Sequence, residues 1–383
     1  MEKLIALLLG TVFLGLLSQV YYPVRTSEIN RIGHKYFKYR SDIFMIIIII
    51  WMCLFSGLKT MYNDTGNYIR YFEESAVTLT EHFATSDSIG FADNPMFYIV
   101  QVIIKRICDN YHIWFILLAF LNSYSIIKLF KRYSVSFGFS ILMFISIGTY
   151  VMYLAAAKQA LAVSVGLVAI CALLEHKWVK FFCLTILAIL FHTHAFMLLI
   201  LPFLLNRPWS KMTYVSICLV ITAMIAYDVL FRMFMEFGQS IGATVVEDEV
   251  FDGHTLNSIR VLVYSVVPII SFVFRKRLYE NSNEYENLFT NMGIVSFLIL
   301  SIGLINGANL FARMAGYFEY GNAICLPWML KKTFMDRSYR LVLIFAGVLY
   351  FIYFLYEFGI SKNFGGTYRA ITLFELLKEL MVG

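Results

Sequence analysis

Long apolar segments follow one another along most of the chain, with short polar stretches between them. Segments of roughly 18–20 apolar residues are long enough to cross a bilayer as helices, whereas membrane β-strands alternate apolar and polar residues. The pattern therefore predicts an all-α, polytopic membrane helix bundle with about 11–12 transmembrane helices, in a single integral membrane domain. The predicted segments are residues 4–22, 42–58, 111–130, 135–153, 155–174, 178–193, 195–206, 212–231, 256–274, 288–310, 314–330 and 341–357.

The composition agrees with a membrane protein. Hydrophobic residues make up 60% of the 383 residues and charged residues 15%, a balance outside the range of soluble domains. The net charge of +6 does not indicate nucleic-acid binding, because the basic residues lie in short loops between the segments. The six cysteines show no paired spacing, so we expect buried apolar side chains rather than disulfides.

The charged residues predict an orientation in the membrane. Basic residues concentrate in alternate loops, which the positive-inside rule places in the cytoplasm. These loops are residues 25–40, 128–132, 177–180, 207–211, 275–277 and 331–340. The N-terminus is then outside, and the first segment is expected to be retained rather than cleaved. Residues 178–206 could form one long helix or a hairpin of two short ones, and the basic residues on both flanks favour the hairpin.

Two predicted external segments, residues 59–110 and 232–255, are too long to be simple connections, and loops of this length usually have a function. In the first segment, Asn94 can cap a helix that begins at Pro95, and apolar residues follow at helical spacing. This helix is too short to cross the membrane and return, so we expect an interfacial or re-entrant helix. Residues 371–381 suit an amphipathic surface helix.

Charged and polar side chains within apolar segments are costly and by default mark a functional site. Lys158 and Gln159 lie a few residues inside one segment, and the alternative is a lysine that reaches the outer interface. His192 and His194 lie at the turn of the predicted hairpin. Residues two apart on a helix point to opposite sides, so we expect no shared metal. A histidine there suits a general base or a phosphate ligand, or a structural bond to the backbone.

A second set of polar residues lies late in the chain. Their spacing predicts one polar face on a nearly continuous helix, with Arg313 as an anion clamp; the alternative is a bond from Arg313 to Glu319 or to lipid phosphate. Arg260 lies near the external end of its segment. The residues of this face are Asn306, Asn309, Arg313, Tyr317 and Tyr320.

Lys59 and Asp64 follow the second apolar segment. Asp64 is either the cap of a surface helix or a carboxylate that orients a sugar hydroxyl or acts as a base. Tyr68 offers an aromatic face for a sugar, although the aromatic belt of a membrane protein explains it equally well. All these charged positions fall on the predicted outer side with cations in excess, so the sequence predicts an outward-facing pocket for phosphate or pyrophosphate.

Several nucleotide and metal motifs do not occur in the sequence. There is no phosphate loop, no dinucleotide fingerprint in a strand–helix context and no H-E-x-x-H zinc motif. The chain is therefore not expected to drive a pump with its own nucleotide, and neither a cofactor nor a metal is expected.

The polar positions resemble the motifs of the EpsG/Wzy family of bacterial exopolysaccharide and O-antigen polymerases. The stretch from Gly57 to Phe72 is similar to that family's "glR…DT…Y…F", and the stretch from Asn94 to Tyr98 to its "e-P-l-f-y" helix start. Three later motifs follow in the same order. They are Lys158-Gln159-Ala160, similar to "R-Q-x-x-A"; Phe191-His192-Thr193-His194-Ala195, similar to "f-H-x-s-a"; and Ala312-Arg313-Met314 through Tyr317-Phe318, similar to "R-x-x-x-Y-f".

The chain departs from the family pattern at three positions. Lysine stands at 59 and 158 where the family usually has arginine, and lysine keeps the charge but lacks the two-pronged guanidinium. Asn94 stands where an acid is frequent, which argues against a catalytic carboxylate at that position.

The resemblance implies a membrane glycosyltransferase of the GT-C type that acts at the outer face of the bacterial plasma membrane. Such an enzyme transfers a glycan from undecaprenyl pyrophosphate to a sugar hydroxyl of the next lipid-linked repeat unit, in capsule, exopolysaccharide or O-antigen synthesis. Arg313, Lys158 and Arg260 would stabilise the leaving pyrophosphate, and His192 or Asp64 would accept the proton. The other predicted substrate-binding residues are Lys59, Gln159, Tyr68, Tyr317 and His194. The implied partners are the lipid-linked donor and acceptor, membrane lipid, and a chain-length regulator and flippase of the same pathway.

Three other functions compete with this one. A flippase or transporter for lipid-linked oligosaccharide would place polar groups on both sides of the midplane and often shows repeats, whereas the charges here are one-sided and no repeat is visible. A membrane O-acyltransferase would need histidine and arginine nearer the cytoplasmic side, where the acyl donor lies. A structural subunit would leave the polar residues within the segments unexplained.

Overall fold

The computed structural model describes residues 1–22, 25–29, 35–39, 41–85, 94–240, 253–361 and 367–382. Most of these residues are helical, so the predicted all-α helical bundle is confirmed. In this part of the chain, five helices are long and apolar enough to cross a membrane, or seven if each of two bent pairs is one span. Four shorter apolar helices accompany them. The count of 11–12 spans and the orientation stay predictions.

The chain folds as two compact units. Unit 1 is Met1–Phe196 with Gly347–Gly383, and unit 2 is Met197–Ala346. A single membrane domain over residues 1–383 stays a prediction.

The N-terminal part of unit 1 contains ten α-helices in the residues that the structure describes. In order, these are α1 (Glu2–Tyr21), α2 (Ile43–Gly57), α3 (Thr65–Glu73), α4 (Leu79–Thr85), α5 (Pro95–Ile107), α6 (Tyr111–Tyr133), α7 (Phe137–Ser146), α8 (Thr149–Ala155), α9 (Ala157–Leu174) and α10 (Trp178–Phe191). A 3₁₀ helix, Thr193–Leu205, follows α10 and continues into unit 2.

Unit 2 and the end of the chain add the remaining helices. These are α11 (Lys211–Ile225), α12 (Tyr227–Ser240), α13 (Ser258–Val273), α14 (Arg275–Tyr279), α15 (Glu284–Ile302), α16 (Ala308–Ala315), α17 (Tyr320–Thr333), α18 (Asp336–Leu355), a π-helical turn (Tyr356–Ile360) and α19 (Leu373–Val382). Within unit 2, Asn291 of α15 donates its side-chain amide to the Leu204 and Asn206 carbonyls, both at 2.8 Å.

A buried ion pair joins the first helices of unit 1. Asp42 caps α2 by accepting from the Met45 N–H at 2.9 Å, and its other oxygen lies 2.8 Å from Lys131 Nζ of α6. Ser18 of α1 donates to the same carboxylate oxygen at 2.8 Å. Farther along, α2 and α6 approach so closely that a Cβ at Gly57 would lie 2.5 Å from Ile116 Cγ1, which explains the glycine at this position.

Several predicted segments are broken rather than continuous. Residues 135–153 form α7 and α8, bent by 54° at Gly148, whose φ is 89°. Residues 212–231 form α11 and part of α12, bent by 99°. Residues 178–206 form two helices with a break at His192, so one long helix is excluded.

Two short antiparallel ladders were not predicted. Strand β1 (Arg25–Ile29) pairs with β2 (Lys35–Tyr39), and β3 (Lys59–Met61) pairs with β4 (Arg369–Ala370). The second ladder brings the C-terminal segment back to the end of α2, where the Ile371 N–H donates to the Leu58 carbonyl at 3.0 Å.

Both predicted surface helices are present, although α5 is more buried than a helix on the surface would be. The helix after Asn94 is present as α5, but its buried residues are Phe97, Gln101, Val102 and Lys105, and Ile103 and Ile107 are exposed. The C-terminal helix is present as α19, with Leu376 buried. Of the predicted acidic loop at 232–255, residues 232–240 belong to α12, and residues 241–252 lie outside the described residues.

Candidate active site

Lys158 lies at the start of α9, after a break in the helical backbone at Ala156, where φ is −109° and ψ is 75°. Its ammonium group donates to Tyr98 Oη at 2.6 Å. It also lies 4.4 Å, 5.6 Å and 5.9 Å from the ring centroids of Tyr98, Phe97 and Tyr71, within range of cation–π attraction. Among the described residues it meets no carboxylate, so two of its three N–H donors remain for a ligand.

Lys59 is buried in β3 and is only 3% exposed. Its ammonium group donates to the Leu154 carbonyl at 2.6 Å and lies 5.1 Å from the Phe115 ring centroid. The bond satisfies a carbonyl in the last turn of α8, where the helix supplies no partner. Lys59 therefore supports the end of α8, just before the break that precedes Lys158. Burial lowers the pKa of Lys59 to about 7.

His192 lies between two helices rather than within one. Its backbone is extended, with φ −160° and ψ 119°, and its carbonyl accepts from the Ala195 N–H at 2.9 Å in the first turn of the 3₁₀ helix. The rings of His192 and His194 are 4.9 Å apart. Our expectation that the two rings point to opposite sides is wrong, because it assumed helical geometry. Where the structure describes side chains, no three His, Cys, Asp or Glu residues are grouped to hold a metal.

Asn94 does not cap α5 as we predicted, although Pro95 begins the helix. The residue has a left-handed backbone, with φ 55° and ψ 52°, and makes no side-chain bond to its own helix. Its Oδ1 instead accepts from the Thr193 N–H at 3.1 Å. Asn94 therefore caps the 3₁₀ helix that follows His192.

The other predicted residues of unit 1 differ in exposure. Tyr68 is buried, with its ring centroid 6.0 Å from that of Phe97, and Gln159 is fully buried. Asp64 is exposed and stands at the N-cap position of α3, as one of its two interpretations predicted, but its side chain makes no capping bond. Its carboxylate is accessible to a ligand.

A cavity of about 320 Å³ lies within unit 1. Its walls include Lys3, Tyr62, Leu154 and Thr367, with Tyr368 beside them. Leu154 also lines a smaller cavity of about 20 Å³ at Lys59, large enough for about one water molecule. The larger cavity therefore lies beside the residue whose carbonyl holds Lys59.

In unit 2, Arg260 is buried in the first turn of α13. Arg313 is half-buried on α16, and Tyr317 is buried in the turn that follows α16. The segment leading to α13 bonds to the segment before α16, because the Leu256 N–H donates to the Gly303 carbonyl at 2.8 Å.

The predicted polar face around Arg313 is not one helix face. Gly307 is left-handed, with φ 67°, and α16 ends at Ala315, before α17 begins at Tyr320. Asn306 lies outside both helices and accepts from the Gly253 N–H at 2.9 Å. The prediction failed because the sequence spacing alone does not reveal these two breaks.

The structure brings two of the sequence motifs together at the start of α5. Tyr98 contacts Lys158, and Asn94 contacts Thr193 beside His192. Neither contact was predicted, because the partners are 60 and 99 residues apart in the chain. The only sequence signal was that Asn94 and Tyr98 lie in one of the family-like motifs.

A comparison with known proteins finds that the EpsG family model matches residues 42–369. This range is most of the chain and includes every predicted site residue. No curated protein matches, and no solved structure matches.

Proposed function

Because the chain belongs to the EpsG family, we propose that it is a polysaccharide polymerase that joins lipid-linked repeat units at the outer face of the plasma membrane. Membership confirms the resemblance drawn from the sequence motifs, and together with the apolar helices it makes the chain a multi-pass membrane protein. The proposed donor and acceptor are both oligosaccharides on undecaprenyl pyrophosphate, for capsule, exopolysaccharide or O-antigen synthesis.

The observation that carries the proposal is the environment of Lys158. Its ammonium group is half-buried among three aromatic rings, and the described side chains give it no carboxylate partner. A cation held in this way has a high affinity for an anion, because the surrounding low dielectric strengthens the attraction. Pyrophosphate is the anion that a lipid-linked donor supplies.

The proposed reaction is a glycosyl transfer. A hydroxyl oxygen of the acceptor sugar attacks the anomeric carbon of the donor chain, and a new carbon–oxygen bond forms. The bond from that carbon to the pyrophosphate oxygen breaks, and the pyrophosphate leaves with its lipid. Lys158 stabilises the negative charge that develops on this oxygen. The predicted roles of Arg260 and Arg313 as further phosphate ligands are part of the proposal.

The proton of the acceptor hydroxyl goes to His192 or Asp64. His192 is half-buried at the end of α10, and Asp64 is exposed at the start of α3. A neutral imidazole or an ionised carboxylate can each accept a proton near neutral pH. His194, Gln159, Lys59, Tyr68 and Tyr317 remain the proposed substrate-binding residues.

The cavity beside Tyr62 supports a glycan substrate. Its volume of about 320 Å³ is within the usual range of ligand sites. Its walls combine aromatic rings with hydroxyl groups and one ammonium group, and no carboxylate is among the lining residues that the structure describes. This chemistry suits a neutral or acidic sugar better than a cation.

Deletion of the gene tests the proposed function. A polymerase mutant is expected to lose long polysaccharide and to accumulate single repeat units on lipid at the outer face. The measurement is a gel of extracted polysaccharide, together with the labelling of lipid-linked units by a reagent that does not cross the membrane. Repeat units that are protected from the reagent would instead identify a flippase. Normal polymer lacking acyl groups would identify an O-acyltransferase.

A further inference from the structure

We infer that the first turn of α5 fixes the position of Lys158 relative to His192, with Asn94 and Tyr98 as positioning residues. We call this pair the α5 bracket. The inference rests on the proposed function, because it assigns the pair a role in that reaction. Neither residue is proposed to touch the reacting atoms.

The first contact of the α5 bracket holds Lys158. The 2.6 Å bond to Tyr98 Oη fixes the end of a side chain that otherwise has many rotamers. The Tyr98 ring lies 4.4 Å from the same ammonium group, so one residue restrains the cation through both its hydroxyl and its ring. The ring of Phe97, 5.6 Å away, adds a second wall from the same helix turn.

The second contact holds the backbone beside His192. The Thr193 N–H opens a new helix and has no partner within it, and Asn94 Oδ1 accepts from it at 3.1 Å. His192 is extended, so its ring position depends on how the next residue is anchored. The Asn94 side chain is free for this bond because it makes no bond to its own helix.

The two contacts lie one turn apart on a rigid element. Asn94 directly precedes α5, and Tyr98 lies in the first turn of the helix. The left-handed backbone of Asn94 is a conformation that asparagine tolerates better than most residues. The α5 bracket therefore sets the distance between the Lys158 ammonium group and the His192 ring, because both of its residues lie at the start of the same helix.

The same geometry predicts which side chains residue 94 accepts. An acid at this position would accept from the Thr193 N–H just as the asparagine amide oxygen does. The inference is that residue 94 needs an acceptor oxygen and does not need a charge or a titrating group. Asn94→Asp should therefore preserve function, and Asn94→Ala should not.

The test uses purified full-length protein and lipid-linked repeat units extracted from a strain that lacks its gene. Asn94→Ala is expected to lower kcat about 10-fold with little change in KM, because a small misplacement of reacting groups is costly. Asn94→Asp is expected to stay within about 3-fold of the unsubstituted protein, since the capping bond is retained. Tyr98→Phe, which loses only the hydroxyl, is expected to lower kcat about 5-fold.

Two matched variants serve as controls. Asn110 makes the same type of bond in unit 1, from the His112 N–H at the start of α6, and Tyr124 accepts from Lys128 at 3.5 Å on the same helix. Asn110→Ala and Tyr124→Phe are expected to leave kcat unchanged. Comparable losses in these controls would show that the effect is general loss of structure and would overturn the inference.

A second readout is independent of catalysis. Amide hydrogen exchange in a peptide covering residues 192–196 should be faster in Asn94→Ala and unchanged in Asn94→Asp. If the unsubstituted protein makes no polymer, the proposed function fails. The exchange rates still test whether Asn94 accepts from the Thr193 N–H. Unchanged kcat and exchange in Asn94→Ala, or an Asn94→Asp variant as slow as Asn94→Ala, would overturn the α5 bracket.

Discussion

Lys59 and Lys158 each lie near the end of an apolar segment of the sequence, but their surroundings in the structure differ. Lys59 is buried and bonded to the carbonyl of Leu154, whereas Lys158 is half-buried and bonded to a tyrosine hydroxyl. A buried ammonium group that already bonds to a helix end reaches a large anion less readily than a half-buried one does. Lys158, with donors to spare, is the better phosphate ligand of the two.

Replacement of the Lys158 ammonium group is expected to remove most activity. Lys158→Met keeps much of the side-chain volume and should lower the rate of polymer formation about 10²-fold or more, the usual cost of losing one donor to a developing anion. Lys128→Met is the control, because Lys128 also lies by a tyrosine ring and is half-buried like Lys158, but has no predicted role. Equal rates in the two variants, measured on lipid-linked repeat units, would rule out this role for Lys158.

Lys59 is expected to make stability depend on pH. Burial lowers its pKa from 10.5 to about 7, so the folded state binds fewer protons than the unfolded state between these values. Stability should therefore rise as pH rises from about 7 toward 10.5 and be lowest below pH 7, where the buried group must carry its charge. Thermal unfolding in detergent from pH 6 to 9 measures this slope. Lys59→Met should reduce it, and an unchanged slope would contradict the assignment.

At the scale of elements, the candidate residues lie at helix breaks. Lys158 follows the break at Ala156, and His192 forms the break between α10 and the 3₁₀ helix. Arg313 lies near the end of α16, just before another break. Broken helices leave backbone groups without partners, and such groups are tolerated within a membrane only where protein or a polar cavity satisfies them. A functional site is therefore most easily built at these positions.

The buried ion pair of α1, α2 and α6 should contribute strongly to stability. Asp42→Ala would leave Lys131 buried without its partner, at a cost of about 3–5 kcal/mol, and would also remove the cap of α2. Glu175→Ala is the comparison, because Glu175 pairs with Arg132 at 2.7 Å but is 19% exposed. The unfolding temperature in detergent should fall more for Asp42→Ala. A larger fall for Glu175→Ala would contradict the importance of the buried pair.

At the scale of the whole molecule, the residues that we propose for the reaction are distributed over both units. Lys158, Asp64 and His192 belong to unit 1, and Arg260 and Arg313 belong to unit 2. The family model extends over residues of both units. Activity is therefore expected to depend on substitutions in either unit.

Substitution in either unit should abolish long polymer. His192→Ala removes a candidate base, and Arg313→Ala removes a candidate phosphate ligand, with the amount of protein unchanged in both. Arg340→Ala is the control, because Arg340 is exposed on α18 and has no predicted role. A gel of extracted polysaccharide gives the result. Polysaccharide of normal chain length in both variants would refute the assignment of His192 and Arg313 to the site. A comparison of His192→Ala with Asp64→Asn would show which of the two residues accepts the proton.

The positions of helices were predictable because the signals are local. Apolar length marked most of the helices, including α2, α6, α9 and α13, to within a few residues. A capping asparagine followed by proline marked the start of α5, although the bond that the asparagine makes is a different one. The breaks at Gly148 and Gly307 were missed, since an apolar run does not show where its backbone bends.

The sequence by itself determined the protein class, the helix positions and the family. These depend on hydrophobicity, short-range spacing and the order of motifs, all of which are read along the chain. Only the tertiary structure decided which partner each polar side chain meets. Lys59 meets Leu154, Asn94 meets Thr193 and β3 meets β4, across 95, 99 and about 310 residues. Such contacts depend on how helices pack in three dimensions, and hydrophobic periodicity contains no information about that.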